Sequence, residues 1–187
     1  MKRVMIDIET LSTKPDAIIA EIGMVVSEPL KPDFPLFLTL NWQDQQEVGR
    51  AIDVNTLLWW TNTKRADTFL KMALGQQGRQ PLFKSLDILV HYLRGAEEVW
   101  ANSPSFDLAC LNSLLDQFSY QKISYKIERD FRTARALRPT VAYEHPVDAH
   151  NALADAQAQV AHLRKLGIWP EVEEPAAAKL DTWEGSI

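Results

Sequence analysis

Apolar residues run almost unbroken through Val4-Met5-Ile6-Asp7-Ile8, with β-branched side chains at Val4, Ile6 and Ile8. Such a run fits a buried strand. Two further strands are expected over Ala17–Ser27 and Pro35–Leu40, the latter after a turn from Glu28 to Pro35 that carries three prolines. Short links between the three strands predict an antiparallel meander. From Ala51 to Leu74 the period becomes helical, and Gly75–Gly78 interrupts it. Leu82, Leu86, Leu89, Val90 and Leu93 then recur at helical spacing, with Pro81 suited to a first turn. Glu98–Ala101 reads as a strand and Asn102–Ser105 as a turn. A helix over Phe106–Phe118 follows, with Ser105 as its expected cap. Ile123–Ile127 is the expected fifth strand. Arg129–Leu137 is a short helix stopped by Pro139, and His150–Leu166 is a last helix closed by Gly167. The expected class is α/β, with five strands.

Several acids break this pattern. Asp7 and Glu9 sit inside the first strand, where period-2 geometry puts both on one face, roughly 7 Å apart. Buried carboxylates that close repel, and a divalent cation held by oxygen ligands resolves the conflict. A solvated strand end is the plain alternative. Asp107 stands in the first turn of its helix, where a favourable dipole interaction would explain it without chemistry. Asp155 lies among Ala152, Leu153, Ala154, Ala156 and Ala158, residues that allow close helix packing. His150 precedes Asp155 by five positions, about 140° round a regular helix. The two converge only if His150 sits on the loop before the helix. His91, His145 and His162 lack such a partner pattern and read as structural or solvated.

Asp7-Ile-Glu9-Thr10, then Asn102-Ser-Pro-Ser-Phe106-Asp107, then His150-Asn-Ala-Leu-Ala-Asp155 resembles the three motifs of the DEDDh 3′–5′ exonucleases of the DnaQ-like superfamily. The order is right, and the final His-x-Ala-Leu-x-Asp block is the specific one. The resemblance spans about residues 3–166, and the Trp59-Trp60 helix and the length are similar to phage and prophage members. One departure stands out: many relatives carry a His-Asn pair ahead of Phe-Asp, whereas here it is Ala101-Asn102, with Pro104 in the turn. The resemblance implies a ribonuclease-H-like fold, a mixed five-stranded sheet flanked by helices. It implies an exonuclease domain over 1–169 that releases nucleoside 5′-monophosphates from a 3′ end, and two Mg²⁺ or Mn²⁺ ions. By the same resemblance Asp7 bridges both ions, Glu9 and Asp155 complete the first, Asp107 serves the second, and His150 is the general base. Thr10, Leu11, Asn102 and Phe106 are the implied substrate contacts. Relatives are often dimers, so a homodimer is compatible with it.

Composition narrows the rest. The chain of 187 residues fits one domain with an ordinary apolar fraction of 46%. No run approaches the ~18 apolar residues that span a bilayer, and no signal-peptide pattern opens the sequence. A lone Cys110 in an apolar setting predicts a buried thiol and a reducing cytosol, hence a cytoplasmic protein without membrane partners. The net charge of −5 is concentrated in 170–187, an acidic tail expected to be mobile, where Trp183, like Trp169 just before it, could dock. Lys122, Lys126, Arg129, Arg132, Arg135 and Arg138 make a local basic stretch suited to phosphates or to a solvated face. Trp59 or Trp60 could stack a terminal base, with core packing the plainer role. The expected partner is a nucleic-acid 3′ end, with single-stranded DNA favoured and RNA the alternative. A catalytically silent nucleic-acid-binding module is the third reading.

Overall fold

A computed structural model describes residues 1–62, 64–147 and 150–170. A five-stranded sheet in the order β3-β2-β1-β4-β5 forms its centre. β1 (Arg3–Thr10), β2 (Ile19–Ser27) and β3 (Phe34–Thr39) make the expected antiparallel meander. β4 (Glu98–Ala101) and β5 (Glu128–Asp130) run parallel to β1, so the sheet is mixed.

Both faces of β1 are covered, which explains its continuous apolar run. Val4, Ile6 and Ile8 join Leu86 and Leu89 of α4 (Leu82–Leu93) and Leu108, Leu111 and Leu115 of α5 (Asp107–Gln117) in one core. Met5 faces the other way and packs with Ala156, Val160 and Leu163 of α7 (Ala152–Lys165), and Trp169 docks there, only 2% exposed. By strand alternation Asp7 and Glu9 point to this α7 side.

Three expectations need correction. The fifth strand is Glu128–Asp130 rather than Ile123–Ile127. Ile123 is buried, yet its backbone is bonded by the Asn112 side chain rather than by a neighbouring strand, so its apolar character reports burial without pairing. The long helix over 51–74 is two, α2 (Val54–Trp60) and α3 (Ala66–Leu74), and a short α1 (Trp42–Glu47) precedes them. Ser105 does not cap α5, which starts without a side-chain cap bond, and the Ser105 hydroxyl instead meets that of Ser103 at 2.9 Å. The remaining helix, α6 (Phe131–Ala136), follows β5 directly. Cys110 is buried, as expected. The acidic tail beyond Pro170, with Trp183, lies outside the described residues. Among the described residues no helix is long and apolar enough to cross a membrane.

One residue lets α7 lie directly on the sheet. Gly23 of β2 pairs with Asp7, and a Cβ there would sit 2.1 Å from the Ala152 carbonyl group and 2.3 Å from the Leu153 nitrogen. Only a bare backbone permits that approach. Gly23→Ala should push the start of α7 off β2 and cost about 1–3 kcal/mol, as overpacking does. Urea unfolding measures it, and wild-type stability in that variant would contradict the contact.

Candidate active site

The acids gather where β1 ends. Here the pairing slips: Glu9 opposes Glu21 but Thr10 opposes Ile19, which leaves Ala20 of β2 as an extra residue beside the end of β1. Carboxylate oxygens of Asp7, Glu9 and Asp155 lie within 4.8 Å of one another. Asp155 arrives from the first turn of α7, which Asn151 caps by accepting from the Ala154 N–H at 3.0 Å. Asp107 stands at the start of α5. Its Oδ2 accepts from the Ser103 N–H at 2.8 Å, and its charge acts on both Asp7 and Glu9.

His150 lies just outside α7, on the loop side of Asn151, where the spacing argument requires it. Its backbone is left-handed, with φ at 70°, a conformation that costs a non-glycine residue about 1–2 kcal/mol. The turn aims the His150 N–H at Asp155 Oδ2, 2.8 Å away. The imidazole stands edge-to-face against Trp59 at 4.9 Å and Trp60 at 6.0 Å. Burial holds its pKa below the ordinary 6.5, with Asp155 opposing and Arg65 assisting. The neutral form, able to accept a proton, therefore prevails at neutral pH.

The electrostatics are those of crowded anions. Burial raises the pKa of Asp7 well above the usual range, and Asp107 and Asp155 add to the rise, while Gln159 opposes it. Glu9 is raised by burial and then by Asp7, Asp155 and Glu21. Burial lifts Asp107 to about 6, against the pull of the Ser103 N–H, other backbone groups and Arg132. Asp155 is raised more modestly, because the His150 N–H holds it down. Desolvated like charges with oxygen donors only fit a hard divalent cation, which would reverse each of these penalties. The donor set contains no thiolate and suits Mg²⁺ or Mn²⁺ better than zinc.

Sequence reasoning missed three neighbours. Glu21, paired with Glu9 across the strands, is buried and pushed up to about 7 by desolvation, with Arg79 and the Ala152 N–H opposing. Its signal was available: an acid inside a buried strand. Gln159, one helical turn beyond Asp155, donates from Nε2 to Asp7 Oδ1 at 2.7 Å. Gly23 announced itself as a glycine within an apolar strand.

The tryptophans divide their roles. Trp60 is buried, and its Nε1 donates to the Thr10 carbonyl at 2.9 Å, tying α2 to the end of β1. Trp59 is 42% exposed, with the Arg65 guanidinium 3.9 Å from its ring centroid. A cavity of about 520 Å³ adjoins Glu9 and is lined by Thr10, Thr13, Thr56, Trp59 and Phe106 among others. Thr10 and Phe106 thus meet in one space. Leu11 does not share it: its side chain is packed in the core with Ile18 and Trp60. Asn102 offers its carbonyl to the Arg132 N–H at 3.4 Å. Within the basic stretch, Arg132 bonds the Ser103 hydroxyl, Arg129 pairs with Glu98 at 3.4 Å, and Arg135 stands 5.3 Å from the Tyr143 ring. A larger cavity, about 710 Å³, opens beside Trp42 and Arg79, and none of its lining residues belongs to the acid cluster.

Residues 2–167 match the Rv2179c-like family, described as a 3′–5′ exoribonuclease domain. The chain belongs to that family. The description of this Rv2179c-like family agrees with the resemblance to the DEDDh 3′–5′ exonucleases. Several solved exonuclease structures share its fold, three of them as follows. E. coli exonuclease I with zinc and single-stranded DNA aligns at a TM-score of 0.60 and 16% identity, covering 88% of this chain and 40% of that one. Exonuclease X in complex with 5′-overhanging duplex DNA aligns at 0.54 and 19%, covering 88% and 90%. Exonuclease I of Methylocaldum szegediense aligns at 0.56 and 20%, covering 88% and 40%. The Rv2179c-like chain therefore spans about two fifths of the exonuclease I chains it resembles. No curated protein matches it by sequence.

The raised carboxyl pKa values fix a sign for stability. Each of Asp7, Glu9, Asp107, Asp155 and Glu21 gives up its proton at a higher pH in the folded state than in the unfolded chain. Stability from this set is thus present at low pH and falls as pH rises through the folded values, about 6 for Asp107 and about 7 for Glu21. Without divalent cations the melting temperature should drop between about pH 5 and about pH 8. Millimolar Mn²⁺ should restore it, and by more at the higher pH. Equal Mn²⁺ shifts at both ends, read by differential scanning fluorimetry, would contradict the account.

Proposed function

We propose that this chain is a divalent-metal-dependent nuclease that removes nucleotides one at a time from the 3′ end of single strands, releasing nucleoside 5′-monophosphates. The convergence of Asp7, Glu9 and Asp155, with the His150 N–H bonded to Asp155, carries the reading. In it Asp7, Glu9, Asp107 and Asp155 hold two Mg²⁺ or Mn²⁺ ions. Bound there, the ions supply Lewis acidity and neutralise charge at the scissile phosphate. Asp7 and Glu9 are fixed by the rigid strand, so they need little reorganisation to present their oxygens. Asp155 anchors the His150 backbone and thereby orients the imidazole. The His150 imidazole accepts the proton of the attacking water, a task suited to a group neutral at working pH.

The cavity beside Glu9 takes the terminal nucleoside. Its volume falls in the usual range for small-molecule clefts, about 300–1,000 Å³. Thr13 and Thr56 offer hydroxyls to a sugar, while the Thr10 hydroxyl already donates to the Ser12 carbonyl at 2.7 Å. The part of the Trp59 ring that Arg65 leaves uncovered offers a base a stacking surface, worth about 1–3 kcal/mol where fully used. The family description favours RNA as the polymer. DNA is the second reading, supported by the DNA-bound exonucleases that share the fold.

The test uses 5′-labelled RNA and DNA oligonucleotides of one sequence with Mn²⁺. Stepwise shortening from the 3′ end is expected. Asp7→Ala and Asp155→Ala should abolish it while the fold persists. His150→Ala should slow it by about 10²–10⁴-fold, the usual worth of a general base. Full activity in His150→Ala removes the histidine from the mechanism, and no shortening of either polymer refutes the enzyme.

A further inference from the structure

Gln159 is 3% exposed, on the face of α7 that meets the sheet. Its flanks are apolar: Ala156, Val160 and Leu163 all pack in the core around Met5, Val25 and Trp100. A leucine or methionine would suit such a place. The glutamine instead directs its Nε2 to Asp7 Oδ1 at 2.7 Å, while its Oε1 is buried and finds no donor among the described residues. An unpaired buried acceptor costs about 1–3 kcal/mol, which the charge-assisted bond to Asp7 offsets. That bond to one carboxylate of the cluster, made from an otherwise apolar helix face, points to a role beside Asp7 rather than to packing.

We infer that Gln159 is a positioning residue for Asp7, fixing one carboxylate oxygen so that the other is presented to the cation. The inference rests on the reading of Asp7 as a metal ligand. The chemistry favours an amide over the alternatives. A lysine or arginine would pair with Asp7 and compete with the cation, and a carboxylic acid would add another negative charge to the cluster. A neutral N–H donor orients Asp7 without neutralising it. The helical spacing also matters: Gln159 lies four residues after Asp155, on the same face, so one helix supplies both a ligand and the group that orients the ligand opposite.

The test is Mn²⁺ titration by calorimetry into wild-type protein and Gln159→Leu, beside their melting temperatures in EDTA. Leucine keeps most of the volume and removes both the donor and the orphan acceptor. Mn²⁺ affinity should fall about 10–100-fold, the usual effect of losing an outer-shell partner. The cation-free melting temperature should change little, because shedding the orphan acceptor offsets leaving Asp7 Oδ1 without its donor. Packing alone cannot produce a loss of affinity without a loss of stability. Unchanged Mn²⁺ affinity overturns the inference, as does a loss of affinity matched by a loss of cation-free stability. If Gln159→Leu does not fold, Gln159→Met carries the same comparison. Wild-type protein that binds no Mn²⁺ sinks the metal reading itself, whereas equal binding by wild type and variant sinks only the role of Gln159.

Discussion

Repulsion between carboxylates withdrawn from water is the constraint around which this end of the molecule is arranged. Asp7, Glu9, Asp107 and Glu21 are each less than a tenth exposed, and Asp155 joins them. Left alone, such groups neutralise themselves by taking up protons. The fold tolerates them because the surrounding scaffold is overdetermined. β1 is bonded on both sides and packed on both faces, so the acids cannot swing apart to relieve the strain. Rigidity of that kind converts an electrostatic cost into affinity for a cation.

Helix α7 completes the arrangement, and a missing side chain governs it. Because Gly23 has no Cβ, the first turn of α7 rests on β2, next to the position that pairs with Asp7. Asp155, the His150 N–H bond and the Gln159 bond all follow from this one approach. Glu21 reinforces it from the strand, where the Ala152 N–H lowers its pKa. The site therefore depends on contacts between backbone and backbone as much as on its acids.

Much of this was legible in the sequence. Strong periodicity located β1–β4, α4, α5 and α7 because their apolar faces are buried, and burial is what the pattern records. The spacing between His150 and Asp155 correctly required a histidine on the loop side of α7. What escaped notice follows a common cause. Ile123 and Ile127 looked like a strand because they contribute to a core, and hydrophobicity cannot report whether a backbone is paired. The break between α2 and α3 and the existence of α1 are decided by short polar segments with little periodic signal. Gln159 and Glu21 were visible as letters but acquire meaning only when strand and helix are laid together.

The setting of Trp59 has one more consequence. Arg65 covers one side of the indole, and Trp60 and His150 both meet the ring at steep angles 4.9 Å away, so an incoming base finds only part of the 42%-exposed ring. An aromatic plane accepts purines and pyrimidines alike and reads none of their hydrogen-bonding edges. Under the proposed reading, a terminal base laid against that ring is recognised by its shape rather than by its sequence.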